Sequence, residues 1–317
     1  MTSCSSFSDS KACRPADDSA LTPLAADKAA AHPCYSRHGH HRFARMHLPV
    51  APACNLQCNY CNRKFDCSNE SRPGVTARLL SPEEAVDAAL RAVAHMPHLS
   101  VIGIAGPGDP LADATRTLDT LATLREALPG MLLCLSTNGL ALPLHADALA
   151  ELGVGHVTVT VNAVDPAIGA AVYNWVDDGG SRVIGQEGAA LLLERQEKGV
   201  RRLKSLGVTV KINTVVIPGV NSDHAREVAM AVASWGADLM NCIPLLPVAG
   251  TRFADTLSPG PDMMHRLRAE AGAIIPQMRH CTRCRADALG FLGEDGRLED
   301  ICGAPPVSRA DAQGFGQ

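Results

Sequence analysis

The chain has 317 residues, 46% of them hydrophobic but only 3% aromatic, so a sizeable core is available and Leu, Val and Ala must fill it. A net charge of −4 without any long Lys/Arg run excludes an electrostatic nucleic-acid binder. No stretch nears eighteen uninterrupted apolar residues, which excludes a transmembrane helix.

Taken in order, residues 1–31 are rich in Ser, Asp and Ala without a period and read as a flexible leader, with Cys4 and Cys13 incidental. This stretch has neither the basic nor the apolar region of a secretory signal, so a cytoplasmic setting is expected. From Met46 onward, short β-branched runs alternate with amphipathic stretches. The runs are MHLPV, LSVIGIAG, MLLCLSTNG, HVTVTVNAV, VTVKINTVVIPG and DLMNCIPLLP. Between them SPEEAVDAALRAVAHM begins with Ser81, Pro82 and Glu84, an N-cap, a first-turn proline and a capping box. ADATRTLDTLATLREALPG stops at Pro-Gly. EGAALLLERQEKGVRRLKSLG ends at Gly207, and a further helix is expected between Ser222 and Gly236. Six strand–helix units in series predict an α/β fold, a partial (β/α)6 TIM-like barrel, with chemistry at the C-terminal strand ends. Residues 304–317 read as a disordered tail.

Twelve cysteines in a chain without a secretory signal point to metal or redox chemistry rather than disulfides. CNLQCNYCNRKFDC, Cys54 to Cys67, follows the first predicted strand and so lies at the catalytic end. Cys54, Cys58 and Cys61 have the spacing C-x3-C-x2-C. Three thiolates hold three irons of a [4Fe–4S] cluster, which normally takes four, and leave one iron open. A structural zinc site of Cys54, Cys58, Cys61 and Cys67 is the bland alternative.

C-x3-C-x2-C on the first loop of a partial barrel resembles the signature of radical S-adenosylmethionine (SAM) enzymes. That resemblance implies that the open iron takes the amino and carboxylate groups of SAM and that Tyr60 lies against the adenine. Gly106-Pro107-Gly108-Asp109-Pro110 resembles the element that receives the SAM amino group, with Asp109 in the acidic position. By the period of two, Thr158, Thr160 and Asn162 share one face of the fourth predicted strand and are expected near SAM. Asn213 and Val210 are expected there from the fifth, and Asn138 from the third, where it shares a face with Cys134 and Ser136.

The remaining ligand types are Cys67, Cys134, the pair Cys281 and Cys284, and Cys34 and His47 ahead of the first strand. The stretches HPCYSRHGHHRFARMHLPVAPACNLQCNYCNRKFDCSNESRPGV and CTRCRADALGFLGED closely resemble the NifB family of nitrogenase cofactor assembly. The likeness spans about residues 32–303, the expected radical SAM core with N- and C-terminal cluster-ligand extensions.

The resemblance implies one SAM-binding [4Fe–4S] cluster and two further [4Fe–4S] clusters as substrates. One SAM gives a methyl group to a cluster sulfur, and a second yields a 5′-deoxyadenosyl radical that abstracts hydrogen from that methyl. The pair is fused with a carbide and a ninth sulfur into an eight-iron precursor, NifB-co. It further implies ligation of one substrate cluster by His47, Cys67 and Cys134, and of the other by Cys34, Cys281 and Cys284. Glu70 and Arg72 are implied as polar residues near the reacting clusters. Cys242 reads as core, and Cys302 as a neighbour of the C-terminal pair. Implied partners are an iron–sulfur cluster donor, a scaffold or carrier protein, and an electron donor such as ferredoxin or flavodoxin, with no nucleic acid and no membrane. Some members carry a C-terminal carrier-like domain, for which this chain has no room, so either a short form that hands its product to a separate carrier or a duplicate or truncated copy is expected. A different radical SAM enzyme with auxiliary iron–sulfur clusters is the rival enzyme class, but it leaves Cys67 and the histidine-rich segment without a role. A zinc or iron–sulfur regulatory protein is the non-enzymatic rival, but it has no need of six barrel units with polar strand ends.

Overall fold

A computed structural model describes residues 30–297 except 70, 77 and 295. The leader up to residue 29, Glu70, Cys302 and the tail lie outside the described residues.

Six parallel strands form the body of one curled sheet: β1 (Ala44–His47), β3 (Leu99–Ile104), β4 (Leu132–Thr137), β5 (Val154–Thr160), β8 (Thr209–Val216) and β9 (Leu239–Pro244), adjacent in that order. They are the six predicted runs. The order follows the chain, as right-handed crossovers through intervening helices require. Those helices are α1 (Pro82–His95), α2 (Ala114–Ala127), α3 (Leu142–Glu151), α5 (Gly185–Ser205), α6 (Ala225–Ser234) and α7 (Pro261–Gly272), with a short α4 (Pro166–Val172) before the crossover into β8. The expected partial barrel is therefore the observed fold.

Two additions were not expected. Strands β10 (Ala288–Gly290) and β11 (Gly296–Arg297) extend the sheet antiparallel beyond β1. A separate three-stranded sheet joins β2 (Leu56–Cys58) to the hairpin β6 (Tyr173–Asp178) and β7 (Ser181–Ile184).

The helix signals act as anticipated. In α1 the Ser81 side chain accepts from the Glu84 amide while the Glu84 carboxylate accepts from the Ser81 amide, closing the capping box. Its buried face is Ala85, Ala88, Ala89 and Ala92, an i, i+3, i+4, i+7 stripe of small residues. Beyond α5, Gly207 takes a positive φ of 77°, the left-handed conformation that ends a helix.

Strand alternation sorts the two faces of the barrel. Ile102, Leu133, Leu135, Val157, Val159, Val210 and Ile212 point outward into a continuous core against the helices, and Cys242 lies in the same core, as read from the sequence. The opposite face carries Arg45, His47, Cys134, Ser136, His156, Thr158, Thr160, Lys211 and Asn213. A polar inner face leaves an interior shaped for something other than side-chain packing.

Candidate functional site

Two cavities open on that inner face. The first is walled by Cys54, Cys58, Cys61, Arg63, Cys67, Asn69, Gly108, Asp109, Thr137, Asn138 and Thr160. It is built by holding the cysteine loop against two strand ends. Strand β2 pairs with β6, with Leu56 opposite Val176 and Cys58 opposite Tyr173, so the middle of the cysteine motif is anchored in a sheet. Gln57 then crosses the loop, donating from Nε2 to the carbonyls of Cys58 at 2.9 Å and Cys61 at 2.6 Å.

From the other side, the amides of Gly108 and Asp109 donate to the carbonyls of Ala51 and Ala53, and the Cys67 amide donates to the Pro107 carbonyl. The approach is so close that a Cβ on Gly108 would stand 1.9 Å from the Ala53 oxygen, which is why this wall needs glycine. Asp109 is buried and accepts from the Leu111 amide at 2.9 Å, the Asn138 amide at 2.5 Å and the Thr137 hydroxyl at 3.0 Å. Asn138 in turn donates to Asn55 Oδ1 at 2.7 Å and lies 3.7 Å from Cys54 Sγ. Burial pushes the Asp109 carboxyl above the usual range despite these donors.

Among the described residues the cysteines are all thiols rather than disulfides. No group of three or more His, Cys, Asp or Glu side chains among them is arranged to hold a single metal ion. Cys54, Cys58 and Cys61 share one wall, Cys58 buried and the other two half-buried, a set of three thiol donors that fits a [4Fe–4S] group. Burial raises Cys54 to about 11, and places Cys58 and Cys67 well above, and Cys61 above, the ordinary thiol value. These groups must shed protons when they ligate a metal.

The second cavity lies on the inner face of the same six strands. Cys34, His47, Cys134, Cys281 and Cys284, gathered from both ends and the middle of the described chain, all line it. His47, Gly103 and Cys134 stand side by side in register on β1, β3 and β4. The missing side chain of Gly103 leaves the notch into which the Cys134 thiol leans. The C-terminal pair is docked by the Arg72 amide, which donates to the Cys284 carbonyl at 3.0 Å. Arg45, buried, donates to the carbonyls of Gly290 and Phe291 and to Cys284 Sγ at 3.3 Å. Burial nonetheless lifts Cys284 to about 12, with Arg45 working in the opposite direction. Lys211 also lines the cavity, 5.3 Å from the centre of the Tyr35 ring. Asn69 and Ser136 line both cavities and so form their shared wall.

The residues expected near SAM are distributed over both cavities and the surrounding core. Gly108, Asp109, Asn138 and Thr160 reach the first cavity, while Thr158 and Asn213 reach the second. Val210 lies on the outward face of β8 in the core, one residue out of phase with the inner row, and lines neither cavity. Tyr60 is buried in an apolar cluster with Leu56, Tyr173 and Val176, its hydroxyl donating to Asn69 and accepting from Asn162. Asn162 is spent on that contact and on the Val215 amide. Gly106, at a positive φ of 133°, stands behind the wall rather than in it. Arg72 is exposed and lines neither cavity. Cys67 lines the first cavity, apart from His47 and Cys134. His32, Arg45, Lys211 and Arg283 line the second cavity and were not anticipated. The period of two had singled out polar residues on the fourth strand, and would have found Arg45 beside His47 and Lys211 beside Asn213.

Residues 48–232 match the family model of the radical SAM superfamily. The FeMo cofactor biosynthesis protein NifB of Klebsiella pneumoniae is 60% identical over 299 residues, covering 93% of this chain and 64% of the relative. The NifB of Chlorobaculum tepidum is 50% identical over 263 residues, 83% of this chain and 62% of the relative. The chain thus spans somewhat less than two thirds of these relatives' length. Among solved structures, methylornithine synthase shares the fold, with a TM-score of 0.50 and 17% identity over 92% of this chain and 90% of its own. By its barrel, its three-cysteine loop and these matches, the chain belongs to the radical SAM superfamily, where its relatives are NifB proteins.

Proposed function

We propose that the chain fuses two [4Fe–4S] clusters, with insertion of a SAM-derived carbide and one further sulfur, into the [8Fe–9S–C] precursor NifB-co of the nitrogenase FeMo cofactor. One observation carries this reading: a thiol-rich chamber adjoins the three-cysteine cavity, with Asn69 and Ser136 lining both. When bound, the three-cysteine cluster and SAM supply a methyl group and a 5′-deoxyadenosyl radical. Cys54, Cys58 and Cys61 would hold that cluster, and Gly108, Asp109, Asn138 and Thr160 would shape the SAM site beside it.

The substrate clusters belong in the adjoining chamber. Cys34, Cys281 and Cys284 would seat one, and His47 and Cys134 the other. Cys67 would complete the second set from the far side of the shared wall, two residues before Asn69. Mixed ligation suits a cargo that must leave, since fewer iron–thiolate bonds have to break. The buried cations Arg45 and Lys211 favour an anionic cargo. Glu70 and Arg72 remain candidates for polar residues near the reacting clusters. An iron–sulfur cluster donor, an electron donor such as ferredoxin or flavodoxin, and a scaffold or carrier for the product are the partners this chemistry needs, in the cytoplasm. Among the described residues no helix is long and apolar enough to cross a membrane.

The full chain, purified and reconstituted anaerobically, is expected to hold three four-iron clusters, about twelve irons per polypeptide. Adding SAM should abolish the EPR signal of the substrate pair. About four irons, with no spectral change beyond SAM binding, would reduce the chain to a different radical SAM enzyme. A colourless, zinc-loaded protein would remove the reading altogether.

A further inference from the structure

The residue that the proposed chemistry leaves unused is His32. It is 2% exposed and lines the second cavity with the five ligand candidates. Its ring packs against Tyr35 at 4.6 Å and His156 at 4.7 Å between centroids, so it cannot swing away. The segment carrying it is tied down as well: Ser100 Oγ donates to the Ala31 carbonyl at 2.7 Å, and His280 Nε2 lies 3.0 Å from the Pro33 carbonyl.

One of its nitrogens is already assigned. The Cys34 amide, which can only donate, points at His32 Nδ1 at 3.2 Å. Nδ1 is therefore the acceptor, and the proton of the neutral ring sits on Nε2. That Nε2–H is buried with no hydrogen-bond partner in the protein. A buried donor without an acceptor is unfavourable, and such groups are rare unless a ligand or water completes them. With its lone pair committed at Nδ1 and a proton on Nε2, His32 is not set up as an iron ligand. It is set up to donate.

Resting on the reading of this chamber as the seat of iron–sulfur cargo, we propose that His32 is a binding residue for that cargo, donating Nε2–H to a sulfur of the bound cluster or to a thiolate that ligates it. Such a bond stabilises the more negative, reduced state and so raises the cluster's potential. It also places Cys34 and the donor on one short segment, with the Nδ1 contact setting the ring for both.

Three substitutions separate the two ring nitrogens. His32→Phe keeps the packing and removes both. His32→Asn keeps an acceptor at the Nδ1 position for the Cys34 amide, and His32→Gln puts an amide donor near the Nε2 position. Each full-length variant, reconstituted with iron and sulfide, is titrated for the midpoint potentials of its clusters and for the rate at which a chelator strips iron. Apo-protein thermal stability is measured alongside. The expected result is a lower midpoint for a chamber cluster and several-fold faster stripping in His32→Phe and His32→Asn, with recovery in His32→Gln. Apo stability should instead be best kept by His32→Asn. If His32→Phe does not fold, the Gln and Asn variants decide the question between them. Recovery by Asn but not Gln, or wild-type potentials in all three, overturns the inference while about twelve irons in the parent chain leave the proposed function standing. About four irons in the parent chain overturns both.

Discussion

At position 103 one methyl group decides whether two donors can meet. A Cβ there would stand 2.5 Å from Cys134 Sγ and 3.6 Å from His47 Cδ2, the first far inside contact distance. Overpacking a closed interior costs about 1–3 kcal/mol, so Gly103→Ala should destabilise the apo protein by that amount in urea unfolding. Because the sulfur is the atom struck, the same substitution in a Cys134→Ala background should cost less, with a coupling of about 1 kcal/mol. Equal penalties in both backgrounds would place the clash elsewhere and sink this account of the notch. Cys134 was legible in the sequence as a thiol among strand residues. Gly103 was not, because its meaning depends on which residues flank it on β1 and β4, and strand register is not written in any single strand.

The element that matters most for the first cavity is also the shortest. Strand β2 has three residues and pairs with β6, yet it fixes Cys58, while Gln57, opposite Trp175, holds the carbonyls of Cys58 and Cys61. Gln57→Leu keeps the volume roughly constant and removes both bonds. Each is worth about 0.5–1.5 kcal/mol, so the motif should lose iron to a chelator about ten-fold faster while the unfolding midpoint of the apo protein changes little. An unchanged rate would mean that the sheet pairing alone holds the loop. The six parallel strands and their helices were readable because hydrophobic periodicity and capping signals are local. The β6–β7 hairpin and the β10–β11 extension were not, since YNWVDDGGSRVI and the short ALG run carry too few apolar residues to stand out before their partners are known. Thr158 and Thr160 share a face, as read, but that face runs past both cavities, and each residue meets a different one.

Across the whole molecule, burial favours the neutral thiol at Cys54, Cys58, Cys61, Cys67 and Cys284, and this ties stability to pH in a definite direction. An unperturbed thiol ionises near 9.0, whereas burial raises Cys54 to about 11 and Cys284 to about 12. A folded pKa above the unfolded value means that the fold favours the protonated form. The contribution is then complete below pH 9 and is lost as pH rises through 11 and 12, because the unfolded chain gives up protons that the folded chain retains. The apo protein should therefore lose thermal stability steadily from pH 9 to pH 11. Ligation reverses the sign. Iron bound to these sulfurs has already displaced their protons, so raising the pH no longer favours the unfolded chain through them, and loading itself should strengthen with pH and release protons into a weakly buffered solution. Parallel thermal scans of apo and reconstituted protein between pH 7 and pH 11 test this. The two melting temperatures should draw apart with rising pH. Curves that stay parallel would show that the buried thiols are not the groups through which metal and fold are coupled.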